Sequence, residues 1–340
     1  MTRVGIRDLS RELGLSVATV SRAMNGRDEV SEETVERVRA AAARLGYRPN
    51  HAGRSLRRGR SGAIALFVPI DTARTSLGET FYFPLVSGLR RALEVEHLDV
   101  LMIPTRSDEN AAPPVAALVA RGIADAYILT NTTIGDPRVN ALVEAGVPFV
   151  TLGQTGRDDH AALDLDFEGA ATRAVTALFE AGHRDIAVAC DDRQIAANTV
   201  FLEAWTRTMQ EHGMDASAVF RVPDRADAGI ELARRVLQIP RRPSAMVLAQ
   251  ETLALGLYPE LSAAGLRIGA DIALLGFRDN PVCTPLRPRL PAFELDVQSL
   301  GYRLGETLLQ QMAPSSDPGL ELWPVTTLNT DLSLHASASS

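Results

Sequence analysis

Few residues in this 340-residue sequence combine the type and spacing that chemistry needs. Two carboxylate pairs, Asp164/Asp166 and Asp191/Asp192, stand out, with six histidines at 51, 97, 160, 183, 212 and 335. Paired carboxylates do acid–base work where their surroundings drive their proton affinities apart. Here the first pair closes a strand-like run and the second falls in a loop, so a structural or solvated role is expected for both. The histidines lack metal-ligand spacing, and there is no His-Glu-x-x-His. No lysine occurs, so no phosphate loop ending in Gly-Lys-Ser/Thr can exist, and there is no Gly-x-Ser-x-Gly elbow. Cys190 and Cys283 are too few for a disulfide framework or a zinc cluster. The expectation is a chain with no catalytic residue, metal or cofactor.

A different chemistry is offered near the N-terminus. Val17, Ala18, Thr19, Ser21 and Arg22 combine short or hydrogen-bonding side chains with one guanidinium. Such a surface can lie close to base edges, and Arg can grip guanine with two bonds. The elements that would position it read as three helices over residues 4–46. Ile6, Leu9 and Leu13 share a face of the first. Gly14 suits a tight turn and Ser16 a cap. The second, Val17–Met24, is expected to bury Val20 and Met24. The third starts at the capping Ser31, carries Glu32 and Glu33 where the helix dipole favours anions, and is expected to bury Val35, Val38 and Leu45. Two helices on a Gly-containing turn, closed by a third, match the helix-turn-helix plan, although spacing alone also fits a generic bundle. The exposed face of the second helix favours the former, and charge agrees with it: residues 1–60 hold 13 Arg against 7 acids, the remainder 22 against 35. A basic head on an acidic body points to a polyanion partner for the head alone.

The stretch Ile6-Arg7-Asp8-Leu9-Ser10-Arg11-Glu12-Leu13-Gly14-Leu15-Ser16-Val17-Ala18-Thr19-Val20-Ser21-Arg22-Ala23-Met24-Asn25-Gly26 resembles the DNA-binding signature of the LacI/GalR family of bacterial transcriptional repressors. Val30-Ser31-Glu32-Glu33-Thr34, Leu45-Gly46-Tyr47-Arg48-Pro49-Asn50 and Ala52-Gly53-Arg54-Ser55-Leu56 continue it, nearly unbroken over residues 4–61. The resemblance implies DNA contacts from Ser16, Val17, Ala18, Thr19, Ser21, Arg22 and Asn25. Asn50–Arg58, by composition only a solvated basic linker, is implied to be a hinge helix. Asn50, Arg54 and Ser55 would touch DNA there, and Leu56 would wedge into the central base step from the minor groove. Gly53 departs from the family's usual Ala; Gly in a helix interior costs about 1 kcal/mol, so the hinge is expected to fold less readily without DNA. The resulting division is residues 1–48 as the DNA-binding domain, 49–61 as hinge and linker, and 62–340 as a two-lobed effector and dimerisation domain.

From residue 62, apolar runs alternate with helical stretches. The runs are Ala63–Val68, Val100–Ile103, Ala126–Leu129, Pro148–Leu152, Ile186–Ala189, Ala245–Leu248 and Ile272–Leu275; the helices include Phe83–Glu96, Phe167–Ala181 and Asn198–His212. Continuous apolar strands imply a buried parallel sheet, and the alternation implies a doubly wound α/β body. A hydrophobic share of 46% supports a sizeable core. No apolar run approaches the roughly 20 residues of a membrane span, and Met1–Gly5 has no signal pattern; a cytoplasmic protein is expected. The landmarks Gly182-His183-Arg184-Asp185-Ile186-Ala187, Pro243-Ser244-Ala245-Met246-Val247-Leu248-Ala249 and Gly269–Phe277 extend the resemblance more loosely. They imply a periplasmic-binding-protein-like body of two lobes joined by three segments.

Ligands of such sheets sit beyond the carboxyl ends of the strands. By resemblance, sugar-binding members place an Asp after the fourth strand, another after the Gly-Phe/Tyr landmark, an Arg at the head of a helix and an Asn-Asp pair after the Pro-x-Ala strand. The matching positions are Gly153, Arg278, Asn198 and Gln250-Glu251. Thr130 and Gln154 join them as cleft candidates, and loop residues Phe81 and Tyr82 as ring-stacking groups or, equally, lobe core. Either Arg278 anchors an anionic ligand, such as a sugar acid or sugar phosphate, or it pairs with Glu251 or Asp279 and the ligand is a neutral sugar; the second is favoured. The family implies a homodimer on a pseudo-palindromic, double-stranded operator, controlled by a small sugar-like effector. The tail Leu334–Ser340 has no heptad repeat, so a coiled-coil tetramer is not expected. The alternatives are a small-molecule binding protein that takes an anionic or non-sugar ligand and needs it as co-repressor, a sugar transport component or enzyme, and an architectural DNA-binding protein.

Overall fold

The computed structural model describes residues 4–24, 30–47, 60–70, 79–106, 112–223, 225–313, 319–323 and 328–329. The chain forms two compact units, Met1–Ser61 and Gly62–Ser340.

In the first unit the helices are α1 (Ile6–Leu13), α2 (Val17–Met24) and α3 (Glu32–Leu45). Asp8 opens α1 by accepting the Gly5 N–H at 2.8 Å. Gly14 ends it at φ +64°, a left-handed conformation that a Cβ disfavours. Across this corner the Leu15 N–H donates to the Ser10 carbonyl, and the Ser10 hydroxyl donates to the Leu15 carbonyl. Ser16 caps α2 by accepting the Thr19 N–H at 3.0 Å, as expected. The buried core is Leu9, Val20, Ala23, Val38, Ala41 and Ala42. Ala23 thus takes the place expected for Met24, and Ala41 and Ala42 those expected for Val35 and Leu45. The larger side chains are only partly buried around this centre: small residues let short helices cross closely, and bulky ones roof the edges.

Among the described residues, the second unit holds two six-stranded sheets. The first contains β1 (Ala63–Ile70), β2 (Asp99–Arg106), β3 (Ala126–Leu129), β4 (Phe149–Leu152), β5 (Ala161–Leu165) and β11 (Leu320–Trp323), in the order β11-β5-β4-β3-β1-β2 and parallel throughout. The second contains β6 (Ile186–Cys190), β7 (Val219–Arg221), β8 (Ala245–Leu248), β9 (Ala273–Gly276), β10 (Ala292–Phe293) and β12 (Leu328–Asn329), in the order β12-β10-β9-β8-β6-β7. Among the described strands, the β10–β12 pair is antiparallel and the others are parallel. Helices α4 (Glu79–Leu93), α5 (Ala112–Ala120), α6 (Pro137–Glu144), α7 (Phe167–Glu180), α8 (Ala196–Glu211), α9 (Ala226–Gln238), α10 (Ala254–Ala263) and α11 (Val297–Gln311) cover the sheets. The chain passes between the sheets three times: after β5, after β10, and between β11 and β12.

Every residue of β3, β4, β5, β6, β8 and β9 is buried, as continuous apolar strands require. Along β1, Ile64 and Leu66 face one core while Ala65 and Phe67 face another, so the sheet is covered on both sides. Phe81 and Tyr82, expected in a loop, sit in the first turn of α4. Pro148 lies just outside β4, and Ile272 just outside β9. Among the described residues no helix is long and apolar enough to cross a membrane, and no group of three His, Cys, Asp or Glu could hold a metal ion.

Candidate functional site

In the first unit, the turn at Gly14 delivers α2 with Ser16, Val17, Ala18 and Arg22 exposed, Thr19 and Ser21 half-buried, and Val20 and Ala23 facing the core. Thr19 and Ser16 share a hydroxyl–hydroxyl bond of 2.8 Å. This face is short-chained and polar, with one guanidinium, and can approach a base-pair edge without a bulky obstacle. Asn25, Asn50, Arg54, Ser55, Leu56 and Gly53 lie outside the described residues.

In the second unit, candidate cleft residues gather beyond the carboxyl ends of the strands. On the first lobe, Thr130 follows β3. Its hydroxyl donates to the Phe67 carbonyl at 2.8 Å and lies 3.2 Å from the Tyr82 hydroxyl. Tyr82 is therefore both core and cleft: its ring is buried and its polar end reaches the loop. That loop rests on Arg138, which donates to the carbonyls of Thr130 and Asn131 and forks onto Asp136.

After β4 stand Gly153 and Gln154. Gly153 has φ +114°, and a Cβ there would come 2.5 Å from the Thr132 hydroxyl. The position matched to a family carboxylate thus has neither the backbone nor the space for one. Gln154 instead turns to Asp164 of β5, donating from its backbone and its side chain at 3.3 Å each. Burial pushes the Asp164 carboxyl up from the usual range. Asp164 is a buried strand residue and Asp166 caps α7, accepting the Gly169 N–H at 2.8 Å, so this pair is structural.

On the second lobe, Asp191 follows β6, is buried, and is paired with Arg193. Asn198 donates to the Arg193 carbonyl at 3.0 Å and accepts from Gln250 at 3.4 Å. Glu251 is buried; one carboxylate oxygen accepts from Arg278 at 3.1 Å and from Asn280 at 2.8 Å. Arg278 also reaches the first lobe, donating to the Thr80 carbonyl at 3.0 Å and hydroxyl at 3.1 Å, with its guanidinium 5.7 Å from the Phe81 ring centre. Asp279, the other partner expected for Arg278, pairs with Arg289. Both thiols are buried, and burial pushes both up, Cys283 to about 12, which disfavours the reactive thiolate at neutral pH.

Thr80, Asn280, Thr132 and the Asp136–Arg138 pair were not visible as site residues in the sequence. One signal did exist: Asp136-Pro137 is a cap followed by a first-turn proline, the mark of a helix start.

Comparison with known proteins finds two families. The one described as "Bacterial regulatory proteins, lacI family" matches residues 5–50, and "Periplasmic binding protein-like domain" matches residues 175–331. The "HTH-type transcriptional regulator AglR" of Rhizobium meliloti is 30% identical over 330 residues, covering 94% of this chain and 91% of the relative. A lac repressor dimer bound to operator and the anti-inducer ONPF is similar in fold, with a TM-score of 0.87 at 23% identity, covering 97% of this chain and all of that one. A transcriptional regulator CelR–cellobiose complex aligns with a TM-score of 0.73 at 25% identity, covering 97% of this chain and 100% of that one.

Proposed function

The chain belongs to the lacI family of bacterial regulatory proteins and is a DNA-binding transcriptional regulator rather than an enzyme; on that footing we propose that it acts in the cytoplasm as a repressor, binding a two-fold symmetric operator as a homodimer under the control of a neutral, sugar-like effector. In this reading α2 lies in the major groove, with Ser16, Val17, Ala18, Thr19, Ser21 and Asn25 close to DNA and Arg22 gripping a guanine in each half-site. Asn50, Arg54 and Ser55 of the hinge contact DNA, and Leu56 wedges into the centre of the site. Residues 1–48, 49–61 and 62–340 act as reader, hinge and effector body. Ligand in the cleft changes lobe closure, and the hinge gains or loses its fit to DNA.

The observation that carries the effector assignment is the neutralisation of Arg278 by Glu251, together with its two bonds to Thr80. An anionic ligand would have to displace bonds to a charged group, each worth about 1.5–3 kcal/mol. Phe81 offers a ring face and Tyr82 its hydroxyl, and Thr130, Gln154, Asn198, Gln250 and Glu251 offer hydrogen bonds suited to hydroxyl groups. The solved CelR–cellobiose relative supports a sugar-like occupant.

Calorimetric titration of the full chain with neutral oligosaccharides, sugar acids and sugar phosphates tests this. A neutral member should bind and change operator affinity by about 5–150-fold, and operator should change its affinity by the same factor. Binding confined to the acids or phosphates would overturn the neutral assignment and restore Arg278 as an anion anchor.

A further inference from the structure

Among the described residues, two hydrogen-bonded links join the lobes beyond the carboxyl ends of the strands. One is the fork from Arg278, after β9, to the carbonyl and hydroxyl of Thr80 at the head of α4. The other is backbone alone: the Ala196 N–H, at the start of α8, donates to the Thr132 carbonyl at 2.9 Å. Arg278 is anchored on its own lobe by Glu251, which Asn280 in turn fixes. Arg278 is 9% exposed, and its guanidinium stands over the Phe81 ring. Thr80 and Arg278 are 198 positions apart in sequence.

We propose that Arg278 is an inter-lobe latch: anchored on Glu251, it holds the head of α4, and with it Phe81 and Tyr82, against the second lobe, so that the chain's own side chains set how tightly the cleft closes. The inference rests on the cleft being the control site, but it concerns closure itself rather than any ligand. A guanidinium suits the task because its planar fork meets the carboxylate on one side and two oxygens of Thr80 on another. An ammonium is a point charge that can keep Glu251 but cannot hold both Thr80 oxygens with the same geometry. Being partly withdrawn from water, these bonds are little screened by salt.

The Ala196 amide reports closure directly, because its acceptor is on the opposite lobe. Hydrogen exchange is measured on the full chain without added ligand or DNA, at low and high salt. In Arg278→Met the Ala196 amide should exchange at least about tenfold faster, the equivalent of one charge-assisted bond, while amides of β6 and β8 keep their protection. Arg278→Lys should fall between the two, and Thr80→Val should raise the rate several-fold. Unchanged exchange at Ala196 in Arg278→Met, with β6 and β8 still protected, overturns the latch. If Arg278→Met loses the protection of β6 and β8 as well, Thr80→Val decides: faster exchange at Ala196 supports the latch and an unchanged rate refutes it. Because no operator or effector is present, the outcome is independent of whether the effector is neutral.

Discussion

Replacing Arg138 by Met should destabilise the second unit far more than a surface charge removal would. Arg138 and Asp136 are 7% and 2% exposed. The Arg138 Nε lies 3.0 and 3.2 Å from the two Asp136 oxygens, and Nη2 lies 2.7 Å from one of them. The same Nη2 serves the carbonyls of Thr130 and Asn131 at 3.0 and 3.2 Å. Methionine fills much of the volume but leaves the carboxylate buried and uncompensated, which costs about 3–5 kcal/mol. For a unit of this size that corresponds to a fall in Tm of about 6–20 °C, read by circular dichroism. The double variant Asp136→Leu/Arg138→Met should regain most of this, since a well-packed apolar pair can replace a buried ion pair at little cost. About 1 kcal/mol would remain, because Asp136 also caps α6. Effector affinity should fall in the single variant, because the loop that Arg138 supports carries Thr130 and the Thr132 carbonyl that crosses to Ala196. A single variant within about 1 kcal/mol of the parent would show that the pair is solvated and would refute the reasoning.

Arg22→Ala should weaken operator binding by about 1–3 kcal/mol and relax the preference at one base pair of each half-site; an unchanged base preference removes Arg22 from the readout. Gly53→Ala should tighten operator binding by up to about 1 kcal/mol per hinge if that segment folds as a helix on DNA, and equal affinities would contradict the hinge assignment. Burial holds His160 below the ordinary imidazole range, its ring stacked on Phe149 at 5.2 Å and hydrogen-bonded with the Thr151 and Thr155 hydroxyls. The unfolded chain therefore takes up this proton first, so stability present above about pH 6.5 is lost as pH falls through the folded range. His160→Gln should flatten that part of the acid slope in denaturant titrations, and identical slopes would assign it to other groups.

Strands with both faces covered were the most legible elements. Ala126–Leu129 and Ala245–Leu248 are continuous apolar runs in the sequence and strands with those same limits in the fold. Ala161–Leu165 showed only as a strand-like run closed by the carboxylate pair, because Asp164 interrupts its apolar pattern; that aspartate is accommodated by Gln154 and the Leu165 N–H. Ala292–Phe293 is a strand only by pairing with β9 and β12, which no local pattern announces. The α4 start was displaced from Phe83 because Pro84 sits inside the helix rather than in its first turn. The candidate site was half legible: the family resemblance pointed to Asn198, Gln250, Glu251 and Arg278, and these, with Thr130 and Gln154, fall beyond strand ends, where such sheets hold ligands. Their partners were not. Pairing of Arg278 with Glu251 was one of two expected choices, whereas Thr80 is joined to it by tertiary packing alone, far away in sequence.

Selection of operator from random double-stranded DNA by the full chain, repeated over a range of salt, tests the central claim most directly. A dimeric reader with a wedging hinge predicts a two-fold symmetric site, G·C pairs at the position met by Arg22, a flexible pyrimidine–purine step at the centre, and a steep fall of affinity with salt. Enrichment of an asymmetric site, or binding that depends on salt but not on sequence, would contradict it.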